Sequence, residues 1–204
     1  MPTIPKPETG RGAVVELFVI VALAIGLALV IQAFLVKPFQ IPSGSMEPTL
    51  DIGQRVLVNR FLFHFEDPEV GDIVVFHPPT GAQMAQECGV AHDPQQPCPE
   101  PTPDSADENF IKRIVAGPGD HLYIENGHPV VNGQVAEEDF VRPCHGVPEC
   151  DLPEEIVIPP DHYFMMGDNR GASDDSRSFG PIPREWLVGQ AFATYWPPNR
   201  IGIF

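Results

Sequence analysis

Phe110-Ile111-Lys112-Arg113-Ile114-Val115 runs into Gly117-Pro118-Gly119-Asp120. β-Branched residues ending at a Pro-Gly pair predict a short strand closed by a type II turn, with glycine at the position that needs a positive φ. Alternation along that strand places Lys112 on the same face as Phe110 and Ile114. If that face is buried, desolvation lowers the lysine pKa and leaves a neutral amine able to accept a proton. The plainer alternative is a lysine whose stem lies along apolar neighbours while its head stays in water.

Working outward, Arg55–Asn59, Asp72–Phe76, His121–Ile124, Val130-Val131, Tyr163–Met166 and Phe192–Trp196 have the same short, β-rich character. Glu125-Asn126-Gly127-His128 carries an Asn-Gly hairpin signal. Proline accounts for 25 of 204 residues, against a usual share of about 5%, which excludes a mostly helical soluble domain. Beyond residue 36 no long amphipathic helix is legible, and the domain is expected to be mainly β. Residues 78–109 break the pattern with seven prolines, six acidic residues and neither Lys nor Arg. That composition predicts a mobile insertion.

Residues 13–36 are apolar except for Glu16 and Gln32. As a helix they would measure about 36 Å, enough to cross a bilayer core of about 30 Å. A cleavable signal peptide and a buried core helix are the alternatives, but no good small-x-small cleavage site follows the segment. Lys6 and Arg11 favour a cytoplasmic N-terminus. The expected division is a tail over 1–12, an anchor over 13–36 and an extracytoplasmic domain over 37–204. Cys88, Cys98, Cys144 and Cys150 all lie in that domain, and an even count outside the cytosol suggests disulfides. Three connectivities are open, with the close spacings favouring Cys88–Cys98 and Cys144–Cys150. Zinc is the alternative, against which the spacings argue.

The formal charge of −16 resides entirely beyond residue 36, where 10 basic groups face 26 acidic ones. Such a chain is a poor partner for nucleic acid, and it does not read as one that lies on anionic lipid through a basic patch. Lys112 is the only lysine in the body of the domain.

Two further segments could carry chemistry. Pro42-Ser43-Gly44-Ser45-Met46-Glu47-Pro48-Thr49-Leu50 describes a rigid bend on which a serine can be exposed as a nucleophile beside backbone N–H groups. It reads equally as an ordinary turn. Met166-Gly167-Asp168-Asn169-Arg170-Gly171-Ala172-Ser173-Asp174-Asp175-Ser176-Arg177 reads alone as a solvated loop with local Asp–Arg pairs. Seven histidines leave a Ser-His-Asp arrangement open on composition.

Taken together, the Ser43–Ser45 bend, Lys112-Arg113 with its Gly-Pro-Gly-Asp turn, and the Gly167–Arg177 run resemble the ordered boxes of bacterial type I signal peptidases. The resemblance covers roughly residues 13–196, anchor included. It implies a membrane-bound serine endopeptidase with a β-barrel or sheet catalytic domain behind one transmembrane helix. Such an enzyme removes signal peptides from exported preproteins after small-x-small motifs.

By position, Ser45 resembles the nucleophile, Lys112 the general base and Ser173 the serine that orients the lysine. Ser43 and the Ser45 N–H resemble the oxyanion donors. Asp168, Arg170, Asp175 and Arg177 match positions that shape the site. The resemblance implies a substrate strand lying between the segments Phe39–Pro42 and Asn109–Ile111. Gln40, Ile41, Pro42, Met46, Leu50, Asn109, Phe110 and Ile111 would then contact it, with Ile41, Leu50, Phe110 and Ile111 lining small apolar pockets. Met46 is expected at the membrane interface.

Partners would be preproteins and membrane lipid, with the translocation machinery nearby, and neither cofactor nor metal is required. One departure is that Gly171-Ala172 stand where relatives often carry Asp-Asn, which implies a looser backbone before Ser173. Two other functions compete: a Ser/Lys processing protease of another kind, and an anchored β domain that only binds partners.

Overall fold

The computed structural model describes residues 10–82 and 87–204. Most of the expected tail, 1–12, and residues 83–86 of the insertion lie outside these. The chain opens with a 25-residue helix, α1 (Gly10–Phe34), in which side chains are described over residues 12–27. There the large apolar groups face outward, as at Leu17, Phe18, Leu23 and Leu27. Among the described residues no helix is long and apolar enough to cross a membrane. The remainder of the expected span, 28–34, lies outside the described side chains.

Among the described residues, the chain after α1 is built from β-structure and short turns. The larger sheet runs in the order β1 (Val36–Gln40), β2 (Arg55–Asn59), β11 (Leu187–Trp196), β3 (Ile73–Phe76), β4 (Phe110–Ala116), β9 (His162–Met166) and β10 (Ile182–Pro183), and β12 (Gly202–Ile203) pairs with β11. A smaller sheet has the order β7 (Gln134–Val135), β6 (His128–Val131), β5 (His121–Glu125) and β8 (Leu152–Val157). Every pairing between these strands is antiparallel. The other helix of the domain, α2 (Ser176–Phe179), is a single turn.

Strand alternation and turn chemistry account for this layout. Asn126 and Gly127 both adopt positive φ, 52° and 80°, and close the β5–β6 hairpin as the Asn-Gly signal predicts. Gly119 has φ 82° and the Asp120 N–H returns to the Gly117 carbonyl, so β4 ends in the predicted turn. β1, β8, β10 and β12 were not legible; they contain Pro, charged residues or only two positions and are held by their neighbours.

Three apolar clusters fill the domain. One joins β2, β3 and β11 beneath the Ser45 bend, taking in Ile41, Met46, Leu50 and Ile111. Another, with Val115, Leu122, Ile156 and Phe164, joins the two sheets. A third packs Phe76, Ile114, Met165 and Phe179 on the far side of β4. β4 therefore has buried side chains on both faces, and it is this strand that carries Lys112.

Two expectations are corrected here. Met46 is wholly buried in the first cluster and so does not sit at a membrane interface. Its apolar side chain anchors the bend in the core. The described part of the insertion is also docked rather than loose. Thr80 N–H donates to Asp104, Ala106 N–H to Pro78, Gly89 N–H to Glu100 and Cys98 N–H to Arg177. The proline-rich backbone thus finds acceptors and donors in its own return limb and in the domain body. The cysteines pair as Cys88–Cys98 and Cys144–Cys150.

Candidate active site

The bend after β1 turns on a 3-10 element over Gly44–Met46. Met46 and Leu50 plunge into the core, and the Leu50 N–H donates to the Met46 carbonyl at 2.8 Å. With both sides of the bend pinned, the Ser45 side chain is directed toward β4. Asn169 fastens the bend from the opposite side: its N–H donates to the Ser45 carbonyl (2.9 Å) and its Nδ2 to the Gly44 carbonyl (3.0 Å). Gly167 has to be glycine at this approach. A Cβ there would lie 2.5 Å from the Ser45 carbonyl oxygen and 2.2 Å from Ser173 Oγ.

β4 supplies the other partner. Lys112 Nζ is hydrogen-bonded to Ser45 Oγ at 2.8 Å and stands 5.3 Å from the centre of the Phe110 ring. The contact with Phe110 bears out the face assigned by alternation, and Lys112 is only 4% exposed. Burial lowers its pKa from 10.5 to about 8. Asp175, Asp174 and Asp168 pull in the other direction and Arg177 with it, but desolvation outweighs the carboxylates. An amine with that pKa is about one-tenth neutral at pH 7 and half neutral near pH 8, so it can exchange a proton with a serine hydroxyl at mildly alkaline pH, which an ordinary lysine cannot.

The Gly167–Arg177 run forms a scaffold behind the pair. Asp168 is wholly buried and receives Arg113 through Nε (2.9 Å) and Nη2 (2.7 Å), and the Thr49 hydroxyl as well. Asp175 receives Arg177 in a two-pronged contact (2.8 and 2.9 Å) and the Gly167 N–H (3.0 Å). Burial opposes the Asp175 charge, yet the Arg177 guanidinium and the Gly167 N–H hold its carboxyl below the usual range. Asp175 also caps α2 by accepting the Arg177 N–H. Arg177 donates onward to the Arg170 carbonyl, and Arg170 donates to the Gly167 and Gly127 carbonyls and to Glu138.

A cleft of about 390 Å³ opens over the pair, lined by Pro42, Ser43, Asn109, Phe110 and Ile111, with Ala172 and Asp174 on its far rim. Ser43 Oγ lies 3.4 Å from Ser45 Oγ. Of the expected substrate contacts, Pro42, Asn109, Phe110 and Ile111 meet in this cleft. Ile41, Met46 and Leu50 do not: they are core residues beneath it, and Gln40 is exposed at the end of β1. Apolar side chains flanking a bend are drawn inward before they can line a pocket. The buried Ser173 hydroxyl is turned to the Asp175 carboxylate, whose charge it helps to hold, and the expected contact to Lys112 is not made. Nor is the backbone before Ser173 loose. It closes a 3-10 turn, with the Ala172 N–H on the Asn169 carbonyl, braced by Arg177 on Arg170.

Four contributors escaped the sequence reading. Asn169 and Arg113 stand within or beside quoted motifs, and Thr49 stands in the serine bend; their partners are distant in sequence. Glu138 carries no local signal.

The profile of the family described as signal peptidase, peptidase S26, matches residues 14–196. A signal peptidase I of Leptolyngbya laminosa is 35% identical over 182 residues, covering 89% of this chain and 79% of that protein. A probable signal peptidase I-2 of Synechocystis sp. is 37% identical over 180 residues, covering 88% and 72%. A signal peptidase I of Pseudomonas fluorescens is 33% identical over 224 residues, covering 86% and 70%. Among solved structures, a signal peptidase I of Enterococcus faecalis overlaps with a TM-score of 0.38 at 20% identity, covering 61% of this chain and 97% of that one, too loose a likeness to bear on the fold.

Proposed function

The chain belongs to the peptidase S26 signal peptidase family, whose members cleave signal peptides from preproteins, and on that premise we propose that Ser45 is its nucleophile and Lys112 its general base. One observation carries the assignment: the buried amine of Lys112 lies 2.8 Å from Ser45 Oγ, at the floor of a cleft.

In the reaction so read, neutral Lys112 takes the hydroxyl proton as Ser45 Oγ bonds to the scissile carbonyl carbon. The carbonyl oxygen becomes an oxyanion, stabilised by the Ser45 N–H and the Ser43 hydroxyl. Collapse breaks the C–N bond, and the Lys112 ammonium returns its proton to the leaving amine. Water, deprotonated by the same amine, then releases the signal peptide from the ester. Asp168, Arg170, Asp175 and Arg177 keep the loop in place and take no part in proton transfer. Ser173, which shares the close approach at Gly167 with Ser45, is the residue read as orienting the lysine. The substrate lies extended beside Asn109–Ile111, and the confined cleft favours alanine-sized groups at −1 and −3.

Residues 13–36 serve as the membrane anchor, with 1–12 in the cytoplasm and 37–204 on the extracytoplasmic face beside the translocation machinery. The outward apolar surface of α1 supports this. Since Lys37 and Ser45 are eight residues apart, the nucleophile stays within about 29 Å of the anchor even with the chain fully extended. Tethering thus brings it to the height at which a spanning signal peptide offers its cleavage site.

The test is cleavage of a preprotein by the detergent-solubilised chain, with Ser45→Ala and Lys112→Ala as folded controls. The reading requires a cut after a small-x-small site and two inactive variants. Activity retained by Lys112→Ala would overturn the base assignment and point to a histidine.

A further inference from the structure

The active-site cleft does not end at Asn109. A second groove of about 470 Å³ begins at that same residue and passes Leu187 and Val188 to Lys37 and Arg60. Lys37 follows α1 almost directly, and the Arg60 N–H donates to the Leu35 carbonyl, so the groove runs from the Ser45–Lys112 pair to the foot of the helix.

Its charge is unusual for this molecule. Among the described residues Arg113, Arg142, Arg170, Arg177, Arg184 and Arg200 each have a carboxylate within 3.1 Å. Lys37, Arg55 and Arg60 have no such partner and are exposed, and two of the three, Lys37 and Arg60, line this groove. In a chain of net charge −16, two unpaired cations therefore stand in one groove, against a single carboxylate there, Glu185. His64 and His77 also line it, beside the two permanent charges.

We propose that this groove is a binding site for the substrate segment upstream of position −3, and that Lys37 and Arg60 make it select against basic residues there. The inference rests on the signal-peptidase reading and adds a specificity determinant to it. Geometry sets the positions. A substrate extended alongside β4 advances one residue per strand residue, about 3.3 Å each. With −1 opposite Lys112, position −4 falls opposite Asn109, and about −5 to −7 fall in the groove. This is also the stretch that must bridge the membrane surface and the cleavage site, and the groove ends at the anchor. Two exposed cations facing two substrate charges are expected to change kcat/KM about fivefold to tenfold, through KM, in a salt-dependent manner.

The experiment uses the full chain in a neutral detergent and three preproteins that differ only at −5 and −6, carrying Asp-Asp, Ser-Ser or Lys-Lys. The expected order is Asp-Asp, then Ser-Ser, then Lys-Lys, with the spread shrinking as salt is raised. Lys37→Glu with Arg60→Glu should invert that order. Because the salt response is read on the unaltered protein, it stands even if the double variant folds poorly. Equal cleavage of all three overturns the proposal, as does an order that survives charge reversal. A charge effect seen instead at +2 and +3 overturns it by assigning the groove to the mature segment. A dependence on anionic vesicles that is equal for all three substrates also overturns it and identifies a lipid-headgroup site. Failure to cut any of the three would defeat the signal-peptidase reading itself, a result distinct from cutting them equally.

Discussion

Two buried cations meet at the Gly167–Arg177 run, Arg177 as its last residue and Lys112 in front of it, and they have opposite fates. Arg177 grips Asp175 with two hydrogen bonds, and that carboxylate holds its pKa above the ordinary arginine value despite burial. Lys112 is just as hidden, but it meets a hydroxyl and an aromatic ring, and burial brings its pKa down to about 8. A matched carboxylate in direct contact makes a buried cation structural. Carboxylates that act only from farther off leave it able to exchange a proton at neutral pH. The same loop thus keeps one charge fixed and the other labile.

The sharpest way to break this contrast is to remove the labile group. Lys112→Ala, like Ser45→Ala, should reduce kcat by about 10³-fold or more while the far-ultraviolet spectrum stays unchanged. Next in size is the structural pair. Asp175→Asn leaves Arg177 buried without its counter-charge and should cost about 3–5 kcal/mol in chemical denaturation. Replacing both residues by apolar ones of similar volume should restore much of that loss. Any Asp175→Asn protein that stays folded should also titrate Lys112 at lower pH, because the carboxylate that does most to raise its pKa is gone.

The lysine makes the converse prediction. Its folded pKa of about 8 lies below its ordinary 10.5, so the unfolded chain binds more protons between those values and stability rises with pH across that window. At pH 7 the whole penalty is present. Lys112→Met should therefore stabilise the inactive protein by about 3 kcal/mol, with the gain fading as pH rises from about 8 toward 10.5. Asn169→Ala should have the smallest effect. It removes the Nδ2 clasp on Gly44 but keeps the backbone bond to Ser45, and a drop of about tenfold in kcat with little change in KM is expected.

What could be foreseen from the sequence was what depends on near neighbours. Alternation around Lys112 gave its face correctly because adjacent strand residues must point to opposite sides. Asn126-Gly127 and Pro118-Gly119 announced their turns because backbone conformation at those residues is a local property. The contacts spanning more than a hundred residues left no such trace. Asn169 on the Ser45 bend and Arg200 on the carbonyls of Pro48 and Thr49 are partnerships that only the closed sheet creates. The errors share that origin. Composition alone cannot show that the insertion's backbone is paired with its own return limb, nor that Met46 and Leu50 face inward and so pin the bend.

Burial is what brings the Lys112 amine down to where it can lose its proton near neutral pH. The chain contains three lysines, Lys6, Lys37 and Lys112, so selective ¹³Cε-lysine labelling gives three signals to follow against pH in detergent, assigned with Lys112→Met. The Lys112 signal should titrate near 8. If the Lys112 signal instead titrates near the ordinary lysine value of 10.5, the amine stays protonated well above neutral pH and the proposed proton acceptor is wrong.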